Sequence, residues 1–136
     1  MLVPAMLLVL IVLGGIGVDM AITHSAQRSA HKTLSAAADD AAGMIDASRQ
    51  QTDGTVVLDQ VAARRVALAH LGTLPTELGG GDNGLPYRVV EADVSTTDHT
   101  ITITARIEVD HIFIGAVPGV SRTSTVTVTT TGRLLP

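Results

Sequence analysis

The sequence predicts an α+β protein with a long N-terminal helix, a second short helix and a small three-stranded antiparallel sheet. The long helix is predicted from an apolar run, Met1 to Val18, that carries no charged side chain and continues into an Ala- and Ser-rich stretch. The sheet is predicted from strict apolar–polar alternation in two C-terminal segments. The predicted boundary places the membrane-spanning and extended packing helix in residues 1–50 and a small α+β domain in residues 51–136.

Composition limits what the chain can do. It has 136 residues and a formal net charge of −4, so it lacks the broad basic surface that binds nucleic acid. It has no cysteine, which excludes disulfides and thiolate metal sites. Aromatic residues make up only 1% of the chain, so Val, Ile, Leu and Ala must build the core. Such a core suits a thin sheet packed on a helix better than an enzyme with a deep pocket.

The apolar run has the length of a membrane span. At about 1.5 Å per residue, its helix would cover roughly 27 Å of a hydrocarbon layer about 30 Å thick. A single-pass anchor is preferred to a cleaved secretory signal, since no basic residue precedes the run and helix-forming sequence follows its glycines. The signal interpretation stays open, with a small-x-small site at His24–Ala26. Counting Arg28 and Lys32 alone would leave the C-terminal part in the cytoplasm.

Small residues recur along the predicted long helix, mostly at intervals of four. Such a ridge lets two helix backbones approach closely, especially in lipid, and therefore predicts a helix-packing interface. An Ala-rich helix could also produce the ridge by composition alone. The residues of the ridge are Gly14, Gly17, Ala21, Ser25, Ser29, Thr33, Ala37 and Ala41. The helix is expected to extend to about Ser48, where DASRQQTDG ends it.

The second helix is predicted within LDQVAARRVALAHLG, with Asp59 as its N-cap and Gly72 as the glycine that follows its last turn. Its apolar face is predicted to comprise Val61, Ala62, Val66, Leu68 and Ala69.

Three strands follow, at Tyr87–Val94, His99–Asp110 and Ser124–Gly132. The inward-facing side chains of the second and third strands are predicted to be Ile101, Ile103, Ala105, Ile107, Val109, Val126 and Val128. An apolar connection, Ile112–Gly119, joins these two strands. A sheet with one buried face needs a cover, and the short helix and the end of the long helix are available for it.

A search for reactive constellations predicts no catalytic residue, no cofactor-binding residue and no metal ligand. His24 and His31 lie two helical turns apart, and the sequence has no H-E-x-x-H motif. The Gly79–Gly84 run lacks the Lys of a phosphate-binding loop, so a flexible loop is predicted there. The chain is therefore expected to be non-enzymatic and to need no cofactor.

The order of these segments resembles that of the TadE/TadG-like proteins, which are pilin-like components of tight-adherence (Flp-type) pilus systems. GGIGVDMA ends the apolar span, and LSAAADDAA is similar to the family's L-x-N-A-A-D-A-A-A, with Asp39 at the acid and Ala36 in place of Asn. VVLDQVAARRVALAHL resembles the family's Ala-rich helix, and the two alternating strands joined by IFIGAVPG resemble its paired strands.

The resemblance implies a structural protein of the bacterial cytoplasmic membrane, with its C-terminal domain outside the cytoplasm or in an extracellular pilus. Its partners would be other pilin-like subunits or assembly proteins, in a homo- or hetero-oligomer, and membrane lipid, but no nucleic acid. Ala5 stands where type IV-like pilins carry glutamate, which favours a minor pseudopilin. Asp19 is either a charge partner of a neighbouring subunit or the point at which the helix leaves the lipid. The alternative function is a secreted or tethered envelope module that binds a ligand through its β domain.

Overall fold

The structure, a computed structural model, describes residues 2–74, 87–116 and 119–134. It confirms the predicted α+β class, with one long helix, shorter helices and a three-stranded antiparallel sheet. The elements in chain order are α1 (Leu2–Ala42), α2 (Ala47–Asp53), α3 (Gln60–Leu71), β1 (Tyr87–Thr96), β2 (Thr100–Asp110), a 3-10 turn (Ile114–Ala116) and β3 (Thr123–Arg133). The predicted Gly79–Gly84 loop lies outside the described residues.

Helix α1 is continuous over 41 residues, which corresponds to a length of about 60 Å. It ends at Ala42, before Gly43, so the prediction of one helix reaching Ser48 is wrong. Residues 47–53 form the separate helix α2, because the Asp46 side chain accepts hydrogen bonds from the backbone N–H groups of the first turn. Gly54 ends α2 with a φ of 71°, in the left-handed region that favours glycine.

The sheet has the order β1-β2-β3, so β2 is paired on both sides. All five predicted inward-facing side chains of β2 are fully buried, which confirms the alternation: Ile101, Ile103, Ala105, Ile107 and Val109. On the opposite face, threonines of β2 and β3 meet in register, with hydroxyl pairs at Thr102–Thr131 and Thr104–Thr129. On β3, Val128 is buried as predicted, and Val126 is half-buried.

The second half of α1 covers the buried face of the sheet. Its buried residues are almost all alanines, together with Leu34: Ala26, Ala30, Ala37, Ala38, Ala41 and Ala42. Small side chains let the helix axis lie close to the strands, as is seen at Gly132 on β3. A Cβ atom at Gly132 would collide with the backbone carbonyl of Ala38. The helix from residue 26 onward therefore shares one core with the sheet.

Helix α3 completes the cover, and the prediction of its buried face is correct only in part. Val66 packs half-buried against the core as predicted and Ala62 is half-buried, but Val61 and Leu68 are 70% and 50% exposed and Ala69 is exposed. The fully buried residues are two alanines that were not predicted, Ala63 and Ala67. Asp59 is the N-cap as predicted, accepting from the backbone N–H groups of Val61 and Ala62. Gly72 follows the helix with a right-handed φ of −65°, so its position does not require glycine.

The close approach at Gly132 makes Gly132→Ala destabilising. The added methyl group must push β3 away from the Ala38 carbonyl, and overpacking of this kind costs about 1–3 kcal/mol. We expect a lower thermal unfolding midpoint for the full chain in detergent micelles, measured by circular dichroism. Gly17→Ala is the matched control, because a methyl group at Gly17 meets no atom within 4 Å. An unchanged midpoint for Gly132→Ala would show that the helix and strand are farther apart.

The Arg88–Glu108 pair across β1 and β2 makes stability depend on pH. The Arg88 guanidinium donates two hydrogen bonds to the Glu108 carboxylate, at 2.9 and 2.6 Å, and with a smaller contribution from Thr123 it lowers the pKa of Glu108. Because the folded-state pKa is lowered, this stabilisation is fully present above the unfolded-state pKa of about 4.3 and is lost as the pH falls through the folded-state pKa. We expect the difference in unfolding midpoint between wild type and Glu108→Gln to be constant at neutral pH and to shrink in acid. Arg88→Gln should remove the same pH dependence. A difference in unfolding midpoint between wild type and Glu108→Gln that persists at low pH would show that the Arg88–Glu108 pair is not its cause.

Candidate functional site

The most unusual group in the described chain is the carboxylate of Asp19, which is completely buried although it follows the apolar run directly. It accepts hydrogen bonds from three successive backbone N–H groups of the connection between β2 and β3. Ile112 and Ile114 donate at 2.9 and 2.6 Å, and Phe113 donates to both carboxylate oxygens at 3.2 and 3.1 Å. We call this arrangement the carboxylate cap. It fixes the β2–β3 connection to the side of α1.

The cap is chemically suited to an ionised acid. Burial by itself disfavours a charged carboxylate, but the hydrogen bonds donated by the backbone N–H groups of Ile112, Phe113 and Ile114 stabilise the ionised form. Three consecutive N–H groups directed at one point form an anion-binding concavity, and here the chain's own carboxylate fills it. The cap is therefore a structural joint between helix and sheet.

A glycine one turn earlier makes room for the cap. A Cβ atom at Gly15 would lie 2.9 Å from the Cβ of Phe113, closer than side chains normally approach. Gly15 and Asp19 are four residues apart and therefore share one helix face. The sequence interpretation placed Gly14 and Gly17 on an interface and assigned nothing to Gly15. The i, i+4 relation between this glycine and the acid was the pattern that could have identified the face.

The capping role of Asp19 differs from both roles considered for it from the sequence. The three donors engage both of its oxygens within the chain, so a contact with the charge of a neighbouring subunit would require the β2–β3 connection to move away. That partner role stays a prediction. The other role, in which Asp19 marks the point where the helix leaves the lipid, also stays a prediction.

The predicted small-residue ridge divides into two parts. Its first four members are exposed: Gly14, Gly17, Ala21 and Ser25. Ser29 and Thr33 are half-buried, and Ala37 and Ala41 are buried in the chain's own core. Only the part before residue 26, which we call the free ridge, is open to another helix. The later members contribute to packing within the chain.

The residues before Gly14 form an apolar cylinder that is exposed on all sides. Its large exposed side chains are Val3, Met6, Leu7, Leu8, Val9, Leu10, Ile11, Val12 and Leu13. Helix α1 is long and apolar enough to cross a membrane, and only 11% of its most apolar window is buried within the protein. By length and composition this segment could be a membrane span or a signal sequence.

Among the residues that the structure describes, the other polar side chains are not brought together into a reactive set. The Nε2 atom of His70 lies 3.1 Å from the Asp40 carboxylate, and Asp39 is exposed beside it. Within residues 2–74, 87–116 and 119–134, no group of three or more His, Asp or Glu side chains is arranged to hold a metal ion.

Loss of the carboxylate should release the β2–β3 connection. In Asp19→Ala, the N–H groups of Ile112, Phe113 and Ile114 lose their acceptor, so we expect their hydrogen exchange to accelerate by an order of magnitude or more. NMR of the full chain in micelles measures this, with the β2 amides of Ile103 and Ala105 as internal references. Ser25→Ala is the matched control, since Ser25 is exposed on the free ridge. Unchanged exchange at 112–114 would show that the cap does not hold in solution.

Comparisons of the chain with protein-family models, with curated protein sequences and with solved structures find no match. The features that bear on its function are therefore its own: the exposed apolar cylinder, the free ridge and the carboxylate cap.

Proposed function

We propose that the chain is a non-enzymatic, membrane-anchored pilin-like subunit, a minor pseudopilin of a bacterial Tad-type pilus or secretion apparatus. The observation that carries the proposal is the use of one continuous helix for two purposes. The first half of α1 is apolar and exposed, and its second half forms the core of a small β domain. The resemblance of the sequence to TadE/TadG-like proteins supports the same function.

The structure of α1 supports assembly through the helix. Because α1 has no break between Leu2 and Ala42, the anchor and the domain are joined without a linker. The free ridge lies on the part of α1 that the sheet leaves uncovered. Glycine, alanine and serine at this spacing let a second helix approach to van der Waals contact. Neighbouring subunits packed there would hold their domains at a fixed relative position.

The proposed location is the cytoplasmic membrane, with the β domain on the extracytoplasmic side. The orientation rests on the resemblance, since Arg28 and Lys32 after the span would by themselves favour the opposite one. The apolar cylinder supports the membrane location. Nine large apolar side chains are exposed there, and lipid would cover them.

Disulfide cross-linking tests the assembly surface, because the chain has no cysteine of its own and each introduced thiol is unique. We expect Ala21→Cys to form cross-linked dimers in membranes and Met20→Cys to form few. Both side chains are exposed at nearly the same depth, but adjacent helical residues point about 100° apart. Equal cross-linking at the two positions would contradict packing through the free ridge.

Fractionation of the native bacterium tests the apparatus itself. A C-terminally tagged chain should resist extraction of the membrane by alkaline carbonate and should be recovered with sheared filaments or with the assembly complex. Deletion of the other pilus components should abolish that second recovery and leave membrane attachment intact. A chain that is released by carbonate contradicts the anchor. A chain found in the membrane but never with the apparatus contradicts the pilus role.

A further inference from the structure

An apolar patch of the β domain lies beside the membrane end of α1. Ile112, Phe113 and Val120, in the β2–β3 connection, are 66%, 47% and 47% exposed. We call these three residues the link patch. Two of them, Phe113 and Val120, border an open apolar cavity of about 560 Å³ together with Ile114 and with Ile11, Val12, Gly15 and Ile16 of α1. Exposed apolar surface next to a hydrophobic helix calls for an apolar neighbour.

We propose that the link patch inserts into the membrane leaflet in which the apolar run of α1 ends, so that lipid acyl chains cover the patch and fill the cavity. The proposal rests on the membrane anchor of the proposed function and adds a second membrane contact to it. The β domain is then seated in the bilayer surface.

The depth of the patch fits this position. Phe113 packs against Gly15, which lies four residues before Asp19 and so about 6 Å farther along the helix axis toward the apolar run. Interfacial apolar segments of proteins insert about 5–10 Å into the boundary between headgroups and acyl chains. The link patch therefore reaches the level at which the first acyl carbons are found when Asp19 is at the interface.

Polar residues mark the upper limit of the inserted surface. The backbone N–H of His111 donates to the carbonyl oxygen of Arg122 at 2.7 Å. This hydrogen bond joins the two ends of the connection where it leaves the sheet. Asp110 and Arg122, at these ends, are both exposed. A guanidinium at this height is placed to bind a lipid phosphate. The described part of the connection thus changes from polar ends to an apolar tip.

Lipid is a better occupant than a second copy of the chain, because the patch is continuous with surface that is exposed around the whole helix. Consecutive residues from Val9 to Leu13 are exposed, so apolar side chains point in every direction from the axis. A partner helix would cover one side of such a cylinder, whereas acyl chains cover all of it. The cavity walls extend this apolar surface from α1 to Phe113, Ile114 and Val120.

The chain contains no tryptophan, so single-tryptophan variants report one position each. We propose Ile112→Trp and Val120→Trp in the full chain, reconstituted into phosphatidylcholine–phosphatidylglycerol vesicles whose lipids carry bromine at upper and lower positions of the acyl chains. Leu8→Trp reports the anchor, and Val90→Trp reports an exposed apolar position on β1. We expect blue-shifted emission from Ile112→Trp and Val120→Trp, more than halved by brominated lipid, and red, unquenched emission from Val90→Trp.

The variants separate the two proposals. Unquenched emission from Leu8→Trp would overturn the anchor and, with it, the insertion of the patch. Quenching at Leu8→Trp together with unquenched, water-exposed emission at both patch positions would leave the anchor intact and overturn the insertion. Blue-shifted emission at the patch that appears only at high protein density, without bromine quenching, would assign the patch to a second copy and also overturn it. Two patch positions on opposite arms of the connection guard against a local folding defect in either variant.

Discussion

The architecture depends on the hydrogen bonds that satisfy a buried carboxylate, Asp19, at the end of the apolar part of α1. Asp19 is buried, yet each of its oxygens accepts hydrogen bonds from backbone N–H groups of the β2–β3 connection. These donors replace the water that an interfacial carboxylate would otherwise need, so its burial costs less. In return, the carboxylate satisfies three N–H groups of a connection that has left the sheet ladder. Helix and connection therefore depend on each other, and the position of the β domain along α1 follows from this contact.

The second half of α1 packs on the sheet through apolar side chains of unequal size. The helix contributes alanines and the sheet contributes isoleucine and valine, so the interface is flat on one side and bulky on the other. This arrangement compensates for the scarcity of aromatic residues, since short distances between elements give dense contacts without large side chains. Gly132 of β3 packs on the backbone of α1 at Ala38, and Gly15 of α1 packs on Phe113 of the β2–β3 connection. Both are positions where even a methyl group is too large.

The sequence was sufficient to predict features that depend on local periodicity or on capping. The alternation in β2, the Asp59 cap and the existence of the long helix all follow from side chains within a few residues of each other. It was not sufficient for contacts between distant elements. The two fully buried residues of α3, Ala63 and Ala67, could not be found from hydrophobicity, because the larger Val61 and Leu68 are exposed. Likewise, the backbone donors of Asp19 lie more than ninety residues farther along the chain, and no local sequence pattern predicts this contact.

The uninterrupted course of α1 has a mechanical consequence. A continuous α-helix resists bending over lengths of this order, and sharp kinks arise at prolines, at glycine or serine pairs, at π-bulges or at inserted waters. The one proline of α1, Pro4, lies in its first turn, where it does not interrupt the hydrogen bonding of the helix, and the pair Gly14-Gly15 lies within the unbroken helix. A load applied to the sheet would therefore be transmitted along α1 to its apolar end, and tilting of the domain would be coupled to tilting of the helix.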